Sequence, residues 1–364
     1  MDSNRCSLEE ALAWLRVTLV PRVPPAALRA LLAARGTAQS VLDASSAEIA
    51  AIAGGEVARA FAAGPDPAQV EASVRWLQAE NHHLVAMDDA RYPASLLQVE
   101  NPPPVLYAVG DVEWLASPAV AIVGSRNATA QGARDAEAFA RALSAAGLAI
   151  VSGMALGIDA AAHRGGLAEG GSSIAVLGTG ADVVYPAANR ELASALERSG
   201  CMVSEFALGT PPRSGNFPRR NRLISGMSKG VLVIEAALGS GSLTTARCAL
   251  EQGREVFATP GSIHSPLSKG CHWLIKEGAK LVECADDVLH EIGLDRAATA
   301  QAPDAPPTRD PVLGAMGHAP VSLEQVAQRT GLDVVRLAAR MCRLEIEGRV
   351  CALGGGIFQR VGAT

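Results

Sequence analysis

Residues 119–163 read AVAIVGSRNATAQGARDAEAFARALSAAGLAIVSGMALGIDAAAH, and this stretch decides the fold. Two apolar runs of strand length, Val120–Val123 and Leu148–Val151, flank a long helical segment, Ala128–Ala146, and a second helix is expected from Asp159 to Glu169. Strands that are apolar at every position are buried on both faces, and strands separated by helices pair in parallel through crossovers. The rhythm continues in Ile174–Leu177, Met202–Val203, Val231–Ile234 and Val256–Ala258, with further helical segments at Asn189–Ser199 and Ser242–Gln252. An α/β domain built on a doubly wound, Rossmann-like parallel sheet is therefore expected over residues 117–293.

The flanks have other patterns. Residues 1–65 predict a small all-helical module, with Leu8, Leu12, Leu15 and Leu19 at helical spacing and breaks at Pro21, Pro24, Pro25, Gly36 and Gly54-Gly55. Gly64-Pro65-Asp66-Pro67 marks a boundary. Residues 66–116 read as a connecting extension, with one helix, a strand near Leu84–Met87 and a proline-rich turn before Val105-Leu106-Tyr107. Residues 294–311 have linker composition, RAATAQAPDAPPTRDP over 296–311. Beyond them, over 312–364, come three helical segments and a hairpin, Arg349–Ala352 and Ile357–Arg360 around Gly354-Gly355-Gly356, the pattern of a winged helix.

A chain of 364 residues that is 49% hydrophobic can bury more than one core, and with only 4% aromatics those cores rest on small aliphatic side chains. The seven cysteines are odd in number and lack C-x-x-C spacing, which argues for reduced thiols in the cytoplasm and against zinc or a disulfide framework. No export signal and no apolar run long enough for a membrane span is evident, so no membrane partner is expected.

In open α/β sheets, ligands bind outside the carboxyl ends of the strands. The unusual residues collect there: Gly124-Ser125-Arg126, Ser152 to Asp159, Gly178-Thr179-Gly180 with Tyr185-Pro186, Ser204-Glu205-Phe206, Glu235 with Gly239-Ser240-Gly241-Ser242, and Thr259-Pro260-Gly261. Six such loops present backbone N–H groups, several at helix starts, and form an anion-binding edge. Residues 217–226, FPRRNRLISG, add charge. Between Phe206 and Ile234 there is no acid, while Arg213, Arg219, Arg220, Arg222 and Lys229 bring five positive charges to a chain of net charge −5. Such a local field suits a polyanion, and Phe217 offers a face to a base. The competing reading is a solvated helix face whose arginines pair with acids elsewhere. By the same standard, Asp159 reads as an N-cap followed by an exposed His163, and Glu235 as a cap for the helix near Ser242 or an arginine partner.

Absent motifs narrow the chemistry. There is no G-x-x-x-x-G-K-[ST] phosphate loop, the first turn GSRNATAQG is not G-x-G-x-x-G, and no acids cluster as in two-metal nucleases. No catalytic residue, metal ligand or cofactor is assigned.

VGSR at 123–126, SGMALGIDAAAH at 152–163, YPAAN at 185–189, SEF at 204–206, FPRRNRLISG at 217–226, VIEAALGSGSLTTA at 233–246, TPG at 259–261 and LIKEGA at 274–279 occur in order. Together they resemble the DNA-processing protein A family (DprA, also called Smf), and TGLDVVRLAARMCRLEIEGRV at 330–350 is similar to its winged helix. The resemblance implies a homodimeric, non-enzymatic mediator that binds single-stranded DNA during natural transformation, protects it and loads RecA, with SSB as a further partner. It implies phosphate contacts for Arg126, Arg220 and Arg222, backbone N–H contacts from Gly124, Ser125 and Arg126, and stacking by Phe217. Asn221 lies within the matched R-N-R core, and Arg219 falls at a variable position beside it.

Two other readings fit the residues less well. Phosphoribohydrolases share this kind of sheet but carry P-G-G-x-G-T-x-x-E, where this chain reads EAALGSGSLTTA. A winged-helix transcription regulator with a ligand-sensing domain would need a basic recognition helix. The segment Asp333–Arg349 instead sets Arg336, Arg340, Arg343 and Arg349 against Asp333, Glu345 and Glu347.

Overall fold

The computed structural model describes residues 7–168, 172–294, 310–317 and 319–361. The linker expected at 296–311 and the helix end expected at Glu169 lie mostly or wholly outside them. Strands β1 (His82–Ala86), β2 (Val105–Gly110), β3 (Ala119–Gly124), β4 (Ala149–Ser152), β5 (Ser173–Val176), β6 (Cys201–Ser204), β7 (Gly230–Ile234), β8 (Glu255–Ala258) and β9 (Lys280–Leu281) form one sheet. Its order is β1-β2-β6-β5-β4-β3-β7-β8-β9. The seven strands from β6 to β9 along this order pair in parallel, as the buried apolar runs require.

The extension before residue 117 is more than a connector. Its strands β1 and β2 pair antiparallel with each other, and β2 pairs antiparallel with β6, so they complete one side of the sheet. Along β2, Leu106 and Ala108 face one core while Val105, Tyr107 and Val109 face another, the period-two alternation of a sheet buried on both sides.

Three hydrophobic clusters flank the sheet. On one face, α10 (Asn216–Gly226), α11 (Gly241–Glu251) and α12 (Lys269–Lys276) bury Leu223, Ile224, Ala246 and Leu274 against Val123, Val231 and Val233. On the other, α7 (Ala130–Ala145), α8 (Ile158–Leu167) and α13 (Ala285–Glu291) pack Leu143, Phe139, Ala161 and Val288 on Ile122, Ile150 and Leu232. The N-terminal helices α1 (Leu8–Thr18), α2 (Pro25–Arg35), α3 (Ala38–Leu42), α4 (Ser46–Ala53), α5 (Gly55–Ala63) and α6 (Pro67–Trp76) share a cluster with α9 (Arg190–Ser199) and strands β1, β2, β5 and β6. This module is therefore continuous with the sheet's core. The face of α1 that it buries is Ala11, Trp14 and Leu15, while Leu8 stays exposed.

Residues 310–361 have their own core of Val312, Leu313, Met316, Val326, Leu337, Met341, Leu344 and Val350. Helices α14 (Pro311–Met316), α15 (Leu323–Thr330) and α16 (Val334–Ile346), with the hairpin β11 (Val350–Gly354) and β12 (Ile357–Arg360) and the short β10 (Val321–Ser322), make the expected winged helix. Cys201, Cys248, Cys271, Cys284, Cys342 and Cys351 are free thiols.

Candidate nucleic-acid interface

The strand order opens a crevice. From β3 the chain winds outward through β4, β5 and β6, then returns to pair β7 against the other side of β3. The loops after β3 and β7 diverge there, the switch point at which open α/β sheets bind ligands. A cleft of about 650 Å³ occupies this point, lined by Gly124, Ser125, Arg126 and Asn127 from the β3 loop, Phe217, Arg220 and Asn221 from α10, and Ser240, Gly241, Ser242 and Thr245 at the start of α11.

Arg220 forms the floor and is 5% exposed. Its Nη1 donates to the Gly153 carbonyl at 2.7 Å and to the Val176 carbonyl, so one guanidinium joins the ends of β4 and β5. A Cβ on residue 153 would lie 2.6 Å from this nitrogen, which is why the turn after β4 uses glycine. Buried Asp159 supplies the opposite charge and accepts the backbone N–H groups of Gly153 at 3.2 Å and Ala155 at 3.3 Å. Burial lowers Arg220 to about 10 and pushes the Asp159 carboxyl up, a rise that Arg220 opposes.

Two expectations are corrected here. Gly157 occupies the N-cap of α8, and the Asp159 carboxylate reaches back to the preceding loop instead of capping. His163, expected exposed, is fully buried on the inward face of α8. Its Nδ1–H donates to Ser173 Oγ at 2.8 Å, and that hydroxyl donates to the Ile150 carbonyl at 2.9 Å. Burial holds the imidazole neutral, lowering its pKa to about 3.

The rim differs. Arg126 is exposed, with its guanidinium carbon 5.9 Å from the centroid of the Phe217 ring. Phe217 is half-buried and lies on Gly178, where a Cβ would stand 2.7 Å from the ring. Tyr185 is beside it, ring centroids 5.7 Å apart. Ser125 Oγ accepts the Asn127 N–H at 3.1 Å and shapes the β3 loop, and Asn221 Nδ2 donates to the Gly241 carbonyl at 3.4 Å, connecting α10 to the start of α11.

Arg220 and Arg222, expected to hold phosphates together, are not brought together. Two residues on a helix are about 200° apart around its axis. Arg222 therefore faces away from the cleft, donating to Glu205 Oε2 at 2.6 Å and to the Asn101 carbonyl at 2.9 Å. Arg219 donates to the same Glu205 oxygen at 2.9 Å and lies over Phe206. Glu205 stands one residue upstream of the acid-free window and pairs with two of its five cations, so the paired-arginine reading holds for this face of α10.

Glu235 caps a different helix from the one expected. Its φ of +52° costs a non-glycine residue about 1–2 kcal/mol, and from it the carboxylate accepts the Thr129 N–H at 2.8 Å and the Thr129 hydroxyl, at the start of α7. In YPAAN, Asn189 is the buried anchor: its Nδ2 donates to the Met154 carbonyl at 2.9 Å. The sequence puts Tyr185 and the hydroxyl-rich start of α11 on the anion-binding edge without naming either as an individual contact residue. The signal for Tyr185 was one of only three tyrosines placed in a strand-end loop. Among the described residues no three His, Cys, Asp or Glu side chains are grouped to hold a metal ion, and no helix is long and apolar enough to cross a membrane.

Residues 83–293 match the family model for DNA recombination-mediator protein A, and residues 296–356 match the DprA winged helix domain. Protein Smf of Escherichia coli is 44% identical over 298 residues, covering 79% of this chain and 80% of that protein. DNA processing protein DprA of Streptococcus pneumoniae is 48% identical over 227 residues, covering 60% of this chain and 80% of its own length. The X-ray structure of DprA from Streptococcus pneumoniae aligns with a TM-score of 0.68 at 36% identity, over 79% of this chain and 98% of that one. A structure of DNA processing protein A from Helicobacter pylori, which concerns its single-stranded DNA binding mode, aligns with a TM-score of 0.53 at 29% identity, over 57% and 95%.

Proposed function

This chain belongs to the DNA recombination-mediator protein A family, and we propose that it holds single-stranded DNA along the rim of the switch-point cleft and delivers it to RecA. The observation that carries the reading is Arg126 set over Phe217 at the mouth of that cleft, a cation beside a stacking face with no ion pair among the described residues. The start of α11, an 11-residue helix, borders the same cleft and adds the positive end of its dipole. A flexible strand can place phosphates and bases on such a rim with little sequence preference.

The polar side chains near the edge have internal tasks. Glu235 caps α7, Asp159 braces the loop after β4, and His163 is neutral and enclosed. This supports a binding protein over the phosphoribohydrolase alternative. In the winged helix, Arg336 and Arg343 pair with Asp333 and Glu347 while Val335 and Ile346 are exposed, which favours a protein contact over the reading of duplex DNA. The proposed cellular role is loading of RecA onto SSB-coated strands in the cytoplasm during natural transformation. A homodimer would place two such rims on one strand and raise its affinity for long DNA.

The test is affinity for matched single-stranded and duplex oligonucleotides, followed by RecA filament formation on SSB-coated strands. Preference for the single strand and faster filament growth are expected. Equal or tighter binding to blunt duplex would contradict the reading, as would turnover of nucleoside monophosphates that Glu235→Gln abolishes.

A further inference from the structure

We propose that Tyr185 is a second base-stacking residue, so that a bound strand leaves the cleft over Phe217 and crosses the end of β5 with its next base on Tyr185. The inference rests on the binding reading above and adds a direction to it. Backbone anchors lie on both sides of this tyrosine. Thr179 Oγ1 donates to the Val183 carbonyl at 2.7 Å, the Val183 N–H donates to the Gly180 carbonyl at 3.0 Å, and Asn189 is buried against the Met154 carbonyl. Its neighbour Val184 packs into the cluster shared with the N-terminal helices.

Only the ring remains outside, 46% exposed, and its hydroxyl makes no hydrogen bond to the described residues. An aromatic ring held by rigid backbone in the open, with no polar partner, is explained neither by core packing nor by an internal contact. Its one aromatic neighbour is Phe217, at 5.7 Å and an interplanar angle of 40°. Two rings inclined in this way do not stack face to face, so the exposed Tyr185 ring is not covered by Phe217 and can take a base. Arg126 also lies beside Phe217, so a guanidinium from the β3 loop, the phenyl of α10 and a phenol from the β5 loop adjoin. Stacking accepts any base, which suits a protein that takes strands of any sequence.

The experiment compares wild type with Tyr185→Ala, Tyr185→Phe and Tyr185→Leu on a long deoxythymidine oligonucleotide and on an abasic strand of equal length, after melting curves establish that each variant is folded. Tyr185→Ala and Tyr185→Leu are expected to lose about tenfold in affinity for the base-bearing strand, with salt dependence unchanged, while Tyr185→Phe stays within about twofold of wild type. On the abasic strand all four proteins should bind alike. Wild-type affinity of Tyr185→Ala, or full rescue by leucine, would overturn the inference. If Tyr185→Ala alone is silent while Arg126→Ala and Phe217→Ala weaken binding, this inference fails and the binding reading stands. If all three are silent, the binding reading itself fails.

Discussion

The floor and the rim of the cleft each carry an arginine, and the two behave in opposite ways. Arg220 and Asp159 in the floor, and His163 on α8, are buried, with Arg220 Nη1, Asp159 Oδ2 and His163 Nδ1 turned to backbone carbonyls, backbone N–H groups and a serine hydroxyl. At the rim, Arg126 and Tyr185 are exposed and both lie beside Phe217. The cation in the floor holds strand ends together, whereas the cation at the rim makes no hydrogen bond or ion pair among the described residues. Stability and binding should therefore separate along this line, although Arg126 and Arg220 both border one cleft.

The largest expected effect breaks the floor. Arg220→Ala removes the donor for the Gly153 and Val176 carbonyls and leaves Asp159 buried without its countercharge. A loss of about 3 kcal/mol or more in denaturant unfolding is expected, with binding lost only as folding is lost. A stable, folded Arg220→Ala that fails to bind DNA would move this arginine to the rim.

His163 probes the same layer through pH. Its folded pKa is lowered to about 3 from an ordinary 6.5, so below pH 6.5 the unfolded chain takes up a proton that the folded one excludes. Stability from this group is complete above 6.5 and declines as pH falls toward 3, by about 2 kcal/mol at pH 5. The raised Asp159 works in the opposite direction. His163→Asn, which keeps a donor for Ser173, should show less loss of stability between pH 7 and 5. An unchanged pH profile would mean that the imidazole is not enclosed.

At the rim, Phe217→Ala should weaken single-strand binding by about 1–3 kcal/mol without changing its salt dependence, as titrations at several salt concentrations would show. Melting should move little, since the ring is only half-buried. Equal affinity would remove stacking from the account. The smallest effect is expected of Glu235→Gln, which weakens the charge at the start of α7 and should cost about 1 kcal/mol or less in unfolding. DNA affinity should be unaffected, and a large loss would place Glu235 in the site.

The alternation of buried strands and helices made the parallel sheet readable, and several of the Gly/Ser/Thr loops line the cleft at its switch point. Strand order was not readable from these local patterns. β2 is as apolar as the parallel strands, and nothing in Val105–Gly110 reveals that it pairs antiparallel with β6. The arginine cluster misled for a physical reason. Counting charge along the chain merges the two sides of α10, whereas the 200° step from residue 220 to 222 separates them. The acid-free window began at Phe206, so the count omitted Glu205, the residue that pairs with Arg219 and Arg222. His163 was placed in solvent because the sequence pattern did not show that α8 is covered on that face by β4 and β5. Charge density was readable; the direction in which each charge points needed the fold.

The salt dependence of single-strand binding, measured for Arg126→Ala and Arg222→Ala beside wild type, tests the central claim most directly. If the rim grips the strand, Arg126→Ala lowers the slope of log K against log salt by about 0.7, one phosphate contact on a single strand, and Arg222→Ala leaves it unchanged. A lowered slope for Arg222→Ala with a wild-type slope for Arg126→Ala would contradict the account and put the DNA on the opposite face of α10.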